Sequence, residues 1–125
     1  MIKMLVVDDK LELRTLLKLA FQNRDDYVIT EAEDGEEALT SIARHHPDIV
    51  LLDVMMPGPI DGLGVLDAIR SNAEYAGMKV FMLSARGQDR DRADAMAKGA
   101  DAYFVKPFSI IKLVNTIDQT FNLAS

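Results

Sequence analysis

Apolar positions follow two different periods along this chain. Short apolar runs mark four stretches, Ile2–Val7, Ile49–Leu52, Met78–Leu83 and Ala102–Val105, with Lys3 and Lys79 the only polar residues inside them. Such short runs, rich in β-branched residues, read as strands buried on both faces, as in a parallel sheet. Tyr27–Thr30 is a further short strand, and its flanking charge places it near the sheet edge. Between the strands apolar residues recur every three or four positions, the helical period. Leu13, Leu16, Leu17, Ala20 and Phe21 share one face of a first helix, with Arg14, Lys18 and Gln22 on the other. Asp34 caps a second helix, whose apolar face is Ala38, Leu39, Ile42 and Ala43 and which His45-His46-Pro47 closes. Leu63, Leu66 and Ile69 mark a third. A fourth, over 89–98, has a thin apolar face of Ala93, Met96 and Ala97 and stops at Gly99. Ser109 caps a fifth, which buries Ile110, Leu113, Val114, Ile117 and Phe121. Strict strand–helix alternation predicts an α/β fold: a parallel sheet with helices on both faces.

Composition narrows the function classes. A chain of 125 residues with 49% hydrophobic residues suits one domain over 1–125 with a real core. Its 20 acidic and 14 basic residues leave a net charge of -6, which argues against a nucleic-acid or anionic-membrane surface and suits a module that meets other proteins. With no cysteine, disulfides, thiolate metal sites and cysteine nucleophiles are excluded. No apolar run approaches the ~18 residues of a membrane span, and the leading run is too short for a signal peptide, so the expected compartment is the cytoplasm.

The chemistry gathers at strand ends. The first strand ends in Asp8-Asp9, the third in Asp53, the fourth in Ser84 and the fifth in Lys106. Singly these residues are ordinary turn, cap or surface residues. Open α/β sheets bind ligands at the C-terminal ends of their strands, so the set predicts one site. Three carboxylates together repel one another, and a hard divalent cation such as Mg²⁺ relieves that repulsion. Lys106 and Ser84 make sense beside a cation only if an anion joins it. An aspartate that becomes an aspartyl-phosphate fits both requirements.

These motifs resemble the receiver domain of a two-component response regulator over essentially the whole chain. The resemblance rests on Asp8-Asp9, on Asp53 in Leu51-Leu52-Asp53-Val54-Met55-Met56-Pro57-Gly58, on Ser84-Ala85 and on Lys106-Pro107-Phe108. It implies a flavodoxin-like (βα)5 three-layer sandwich with strand order 2-1-3-4-5. It also implies that Asp53 accepts a phosphoryl group from a phosphohistidine on a sensor histidine kinase or histidine phosphotransfer protein. Asp8, Asp9, Asp53 and the backbone carbonyl of Met55 would hold Mg²⁺, and Lys106 would bind the phosphoryl group. Ser84 would be the switch hydroxyl and Tyr103 the aromatic that turns inward with it, reshaping the surface of helix four, strand five and helix five. The Lys106–Pro107 bond would be cis. Such a domain is a phosphoacceptor rather than an enzyme, catalysing at most its own phosphorylation and dephosphorylation.

The chain departs from the family at two places, in one loop and at Lys10. Pro57-Gly58-Pro59-Ile60-Asp61-Gly62 has one residue more than usual between its glycine-containing pairs. Lys10 stands where an acidic or amide residue is common. Met55 and Arg86, each two residues past a site residue, border the phosphoryl position and could tune its lifetime. An aspartate-nucleophile, Mg²⁺-dependent phosphatase or phosphotransferase is the competing reading, weakened because Met55 breaks the Asp-x-Asp pattern of such enzymes. A nucleotide or flavin module is disfavoured because no glycine-rich loop follows the first strand. A receiver that only binds partners is a further alternative, against which every key position is intact. Helix five lacks a basic, charge-patterned face, which weakens dimerisation through that surface, so a monomer or weak dimer is expected; the downstream protein target or output domain is not named by the sequence.

Overall fold

The computed structural model describes residues 1–85 and 89–123. Five strands, β1 (Ile2–Val7), β2 (Tyr27–Ala32), β3 (Ile49–Asp53), β4 (Lys79–Ser84) and β5 (Ala102–Val105), alternate with α1 (Leu11–Ala20), α2 (Gly35–His45), α3 (Gly62–Arg70), α4 (Asp89–Ala97) and α5 (Ile110–Thr120). All strand pairs are parallel, in the order β2-β1-β3-β4-β5. This is the flavodoxin-like sandwich that the motifs imply, with β2 at one edge.

Alternation along the strands divides the core into two layers. Leu5, Val7, Val50, Leu52, Val80 and Met82 pack with Ala38 and Ile42 of α2, Leu66 and Ile69 of α3, and Ala95 of α4. Met4, Val6, Ile49, Leu51, Phe81 and Leu83 pack with Leu17 of α1 and with Leu113 and Ile117 of α5. Full burial of each such side chain contributes about 1.5–3 kcal/mol, so the central strands are the rigid frame on which the strand-end residues sit.

Local signals set the element ends. Asp34 and Glu37 start α2, with the Asp34 carboxylate accepting from Glu37 N–H at 2.9 Å. Asp61 caps α3 through Gly64 N–H at 2.9 Å, and Ser109 caps α5 through Lys112 N–H at 3.2 Å. Gly99, at φ +105°, stops the chain after α4 as expected.

Several boundaries and faces differ from the sequence reading. β2 runs two residues further, to Ala32, because pairing with β1 continues to Val7↔Ala32. A 3-10 turn over Ala73–Tyr75, capped by Asn72, precedes β4. On α1 the expected faces are partly exchanged: Arg14 is buried and Leu16 is 47% exposed. Ala43 of α2 is exposed. On α4 the expected face of Ala93, Met96 and Ala97 is exposed, and Ala95 is the residue that packs on the sheet.

Candidate phosphoacceptor site

Four of the five strands deliver a polar residue at or just past their C-terminal end to one edge of the sheet. Asp8 follows Val7 of β1, Asp53 ends β3, Ser84 ends β4, and Lys106 follows Val105 of β5. Register brings them together, since Asp53 pairs with Leu83 and Ser84 with Val105. Asp8 and Ser84 are wholly buried, Asp53 is 5% exposed, and Asp9 lies at the surface.

The ammonium of Lys106 reaches Asp8 Oδ2 at 2.8 Å and Asp53 Oδ1 at 3.2 Å. Carboxylate oxygens of Asp8, Asp9 and Asp53 lie within 4.8 Å of one another. Burial pushes the Asp53 carboxyl above its ordinary range and the charge of Asp8 adds to this, against the pull of Lys106 and the Met55 backbone N–H. Burial works against the charged form of Lys106. Its hydrogen bond to Asp8 and the field of Asp53 outweigh that, so its pKa is raised.

The surrounding backbone is drawn tightly over the site. Val54 N–H donates to Leu83 O at 2.9 Å, and Gly62 N–H returns to Val54 O at 3.0 Å. A Cβ at Gly62 would collide with the carbonyl oxygen of Asp53, so only glycine lets the longer 57–62 loop close there. Lys106 N–H donates to Ser84 O at 2.7 Å, and the Lys106–Pro107 bond is cis, as the motifs imply.

Among the described residues this is a set of anionic oxygen donors with one ammonium, and neither sulfur nor imidazole is among its donors. It suits a small hard cation such as Mg²⁺ together with a phosphoryl anion, and not a thiophilic metal.

A family model described as the response regulator receiver domain matches residues 4–118. The chain belongs to this family. A chemotaxis protein CheY of Listeria monocytogenes is 40% identical over 119 residues, which are 95% of this chain and 98% of that protein. The transcriptional regulatory protein ResD of Bacillus subtilis is 39% identical over 123 residues, 98% of this chain but 49% of ResD. The chain thus spans about half the length of ResD and 43% of a probable ycf27 regulator of Cyanophora paradoxa. Among solved structures, the signal receiver domain of a DNA-binding response regulator from Colwellia psychrerythraea superposes with TM-score 0.91 at 27% identity, covering 98% of this chain and 99% of that one.

The receiver fold therefore gathers Asp8, Asp9, Asp53 and Lys106, with Ser84 buried at the neighbouring strand end. Tyr103 lies on β5 three residues before Lys106, paired with Met82 and buried among residues of the α2–α3–α4 layer. The guanidinium of Arg92 stands 5.6 Å from its ring centroid. Met55 has a half-exposed side chain beside the site, and Arg86 lies outside the described residues. Lys10 places its N–H on Asp8 Oδ1 at 2.8 Å. Sequence reasoning missed Arg14, which donates to the backbone carbonyl of Asp8 at 2.7 Å. Its spacing of three from buried Leu17 put it inside the apolar stripe, and that was the available signal.

Proposed function

We propose that the chain, over 1–125, is a phosphorylation-controlled signalling switch whose acceptor is Asp53. The observation that carries this reading is the bridge of Lys106 between Asp8 and Asp53, with a third carboxylate, Asp9, beside them. Among the described residues one ammonium beside three carboxylates leaves an excess of negative charge that a divalent cation would balance, and with that cation bound a phosphoryl anion could join the site beside Lys106.

Asp8, Asp9, Asp53 and the backbone carbonyl of Met55 would hold Mg²⁺, which supplies neutralisation of phosphoryl oxygen charge when bound. The partner is a sensor histidine kinase or a histidine phosphotransfer protein, met in the cytoplasm. An oxygen of the Asp53 carboxylate attacks phosphorus, the P–N bond to the partner's histidine breaks, and the imidazole leaves with the electron pair. Lys106 stabilises the transferring oxygens, and the Ser84 hydroxyl donates to the product. The domain is a phosphoacceptor, and its only catalysis is of its own modification and its reversal.

The added charge then draws Ser84 and Lys106 and the loops that hold them. Tyr103 follows, and the surface of α4, β5 and α5 changes shape. A groove of about 610 Å³ there, lined by Arg92, Met96, Tyr103, Phe108 and Lys112 among others, offers the face that a target protein or output domain would read. Moving such an equilibrium from 1:99 to 99:1 takes about 5.5 kcal/mol of differential interaction, within reach of a few charge-assisted bonds.

The test is intact mass after incubation with a small phosphodonor, with Mg²⁺ or with chelator, for the wild type and Asp53→Ala. One phosphoryl adduct that needs Mg²⁺ and is absent from Asp53→Ala is expected. Steady release of phosphate without an adduct would replace this reading with the phosphatase or phosphotransferase.

A further inference from the structure

Arg14 is charged, buried and used by none of the steps above. It is 7% exposed on α1, under the turn that leaves β1. Nη1 donates to the backbone carbonyl of Asp8 at 2.7 Å, and Nε donates to Glu31 Oε1 at 3.0 Å. Glu31 Oε2 also meets Lys18 Nζ at 3.1 Å, and Glu33 Oε1 lies 4.0 Å from Arg14 Nη2. A buried guanidinium needs a counter-charge, which Glu31 of β2 supplies. Its planar fork is therefore held from one side and aimed at Asp8 from the other.

The carbonyl it holds belongs to the turn that presents the acidic pair. Asp8 N–H donates to Ala32 O at 3.1 Å, which ties the preceding peptide to β2. Asp8 Oδ1 takes the Lys10 N–H and Oδ2 takes Lys106. With the carbonyl fixed by Arg14, the backbone of Asp8 is held at both its N–H and its C=O. Asp9 is the next residue, so its direction is set by the same anchored peptide. A leucine at position 14 would fill the space without desolvating a charge, but it would leave the Asp8 carbonyl without this donor.

We propose that Arg14 is a positioning residue of this site: it anchors the Asp8–Asp9 turn so that both carboxylates face Asp53, and thereby sets the affinity of the acidic cluster for Mg²⁺. This inference rests on the reading of Asp8, Asp9 and Asp53 as a Mg²⁺-dependent phosphoacceptor site.

The experiment is a Mg²⁺ titration of the 125-residue chain without phosphodonor, followed by backbone amide NMR shifts. The proteins are the wild type, Arg14→Ala, Arg14→Lys and Arg24→Ala. Outer partners of metal ligands change affinity by about 10–100-fold, and because Arg14 acts through a backbone carbonyl the low end, about tenfold weaker, is expected for Arg14→Ala. Arg14→Lys restores part of this, since an ammonium reaches the carbonyl but lacks the fork that also grips Glu31. The Lys10 amide, bonded to Asp8 Oδ1, exchanges faster with solvent deuterium in both variants. Arg24→Ala breaks a different ion pair, lowers stability and keeps the Mg²⁺ affinity, which separates positioning from general loosening. Unchanged Mg²⁺ affinity in both Arg14 variants, with a normal Asp53 adduct in the wild type, overturns the role of Arg14 and leaves the functional reading standing. A wild type that neither binds Mg²⁺ nor forms the adduct overturns both. Should Arg14→Ala not fold, Arg14→Lys decides alone: weaker binding supports the role and equal binding refutes it.

Discussion

Asp53 and Asp118 are both shut away from solvent, at 5% and 2% exposure, and each accepts from a cation. Their surroundings differ in the balance of charge. Asp118, on the last turn of α5, takes Arg24 on both oxygens, at 2.7 and 3.2 Å, and the Tyr27 hydroxyl at 2.8 Å. Arg24 also grips Asp26, whose carboxyl it holds below the ordinary range. That cluster joins α5 to the start of β2, at the edge of the sheet away from Asp53. Around Asp53, among the described residues, the ammonium of Lys106 meets Asp8 and Asp53, and a third carboxylate, Asp9, lies beside them. The first arrangement is satisfied within the chain and fixes the fold. The second holds more carboxylate than ammonium among the described residues, and that imbalance is what the proposed Mg²⁺ site would use.

The largest effect that separates the two is expected from Asp118→Ala. It leaves Arg24 and the Tyr27 hydroxyl without their shared acceptor. Breaking a buried pair by removing one partner costs about 3–5 kcal/mol, and the low end applies because Arg24 is 29% exposed. Urea unfolding at neutral pH measures it, and an unchanged midpoint would make the cluster ornamental.

Next in size is the response to Mg²⁺. At 100 times its dissociation constant the ion should raise wild-type stability by about 2.7 kcal/mol. Asp118→Ala should show the same increment, because distant sites add. A smaller increment there would mean that the two clusters are coupled through the sheet.

The two clusters were not equally legible in the sequence. Asp8, Asp53, Ser84 and Lys106 stand where apolar runs end, and a parallel sheet delivers such residues to one edge whatever the details of packing. Asp118 and Arg14 sit inside helical stripes, Asp118 four residues from Val114 and Arg14 three from Leu17. A pattern of hydrophobic and polar positions treats a charge on such a stripe as solvated. Their partners lie far along the chain, 94 residues from Asp118 to Arg24 and 17 from Arg14 to Glu31, so no local spacing announces the pairing. The phase of α4 was missed for another reason. Its sequence Asp-Arg-Asp-Arg-Ala-Asp-Ala-Met-Ala has no large apolar arc, and small residues do not fix which side faces the sheet.

Tyr27→Phe removes one donor from the satisfied cluster and tests it with a pH axis. A hydrogen bond to a charged group contributes about 1.5 kcal/mol or more, so a loss near that value is expected at neutral pH. Burial, and then the bond to Asp118, push the Tyr27 hydroxyl above its ordinary value of 10.0. A raised folded pKa means the stabilisation is fully present below pH 10.0 and is lost as pH rises through the folded value. Wild-type stability should therefore fall above that pH, with a shallower fall in Tyr27→Phe. Parallel curves for the two proteins would refute the assignment.

The smallest effect carries the sharpest contrast, because it changes sign. Asp53→Asn keeps the size of the side chain and an acceptor for Lys106, and deletes one of three crowded charges. Without Mg²⁺ the variant should be more stable than the wild type by about 1 kcal/mol, in the range that relief of unfavourable charge commonly gives. The same substitution at Asp118 should be destabilising, because there the charge is matched by Arg24. A shift in urea midpoint with an unchanged slope is the measurement, since a changed slope would indicate altered compactness instead. If Asp53→Asn is also destabilising, then attraction to Lys106 outweighs repulsion from Asp8 and Asp9. The strand-end cluster would then be a balanced structural pair like the one at Asp118, with no surplus charge left for an ion or a phosphoryl group.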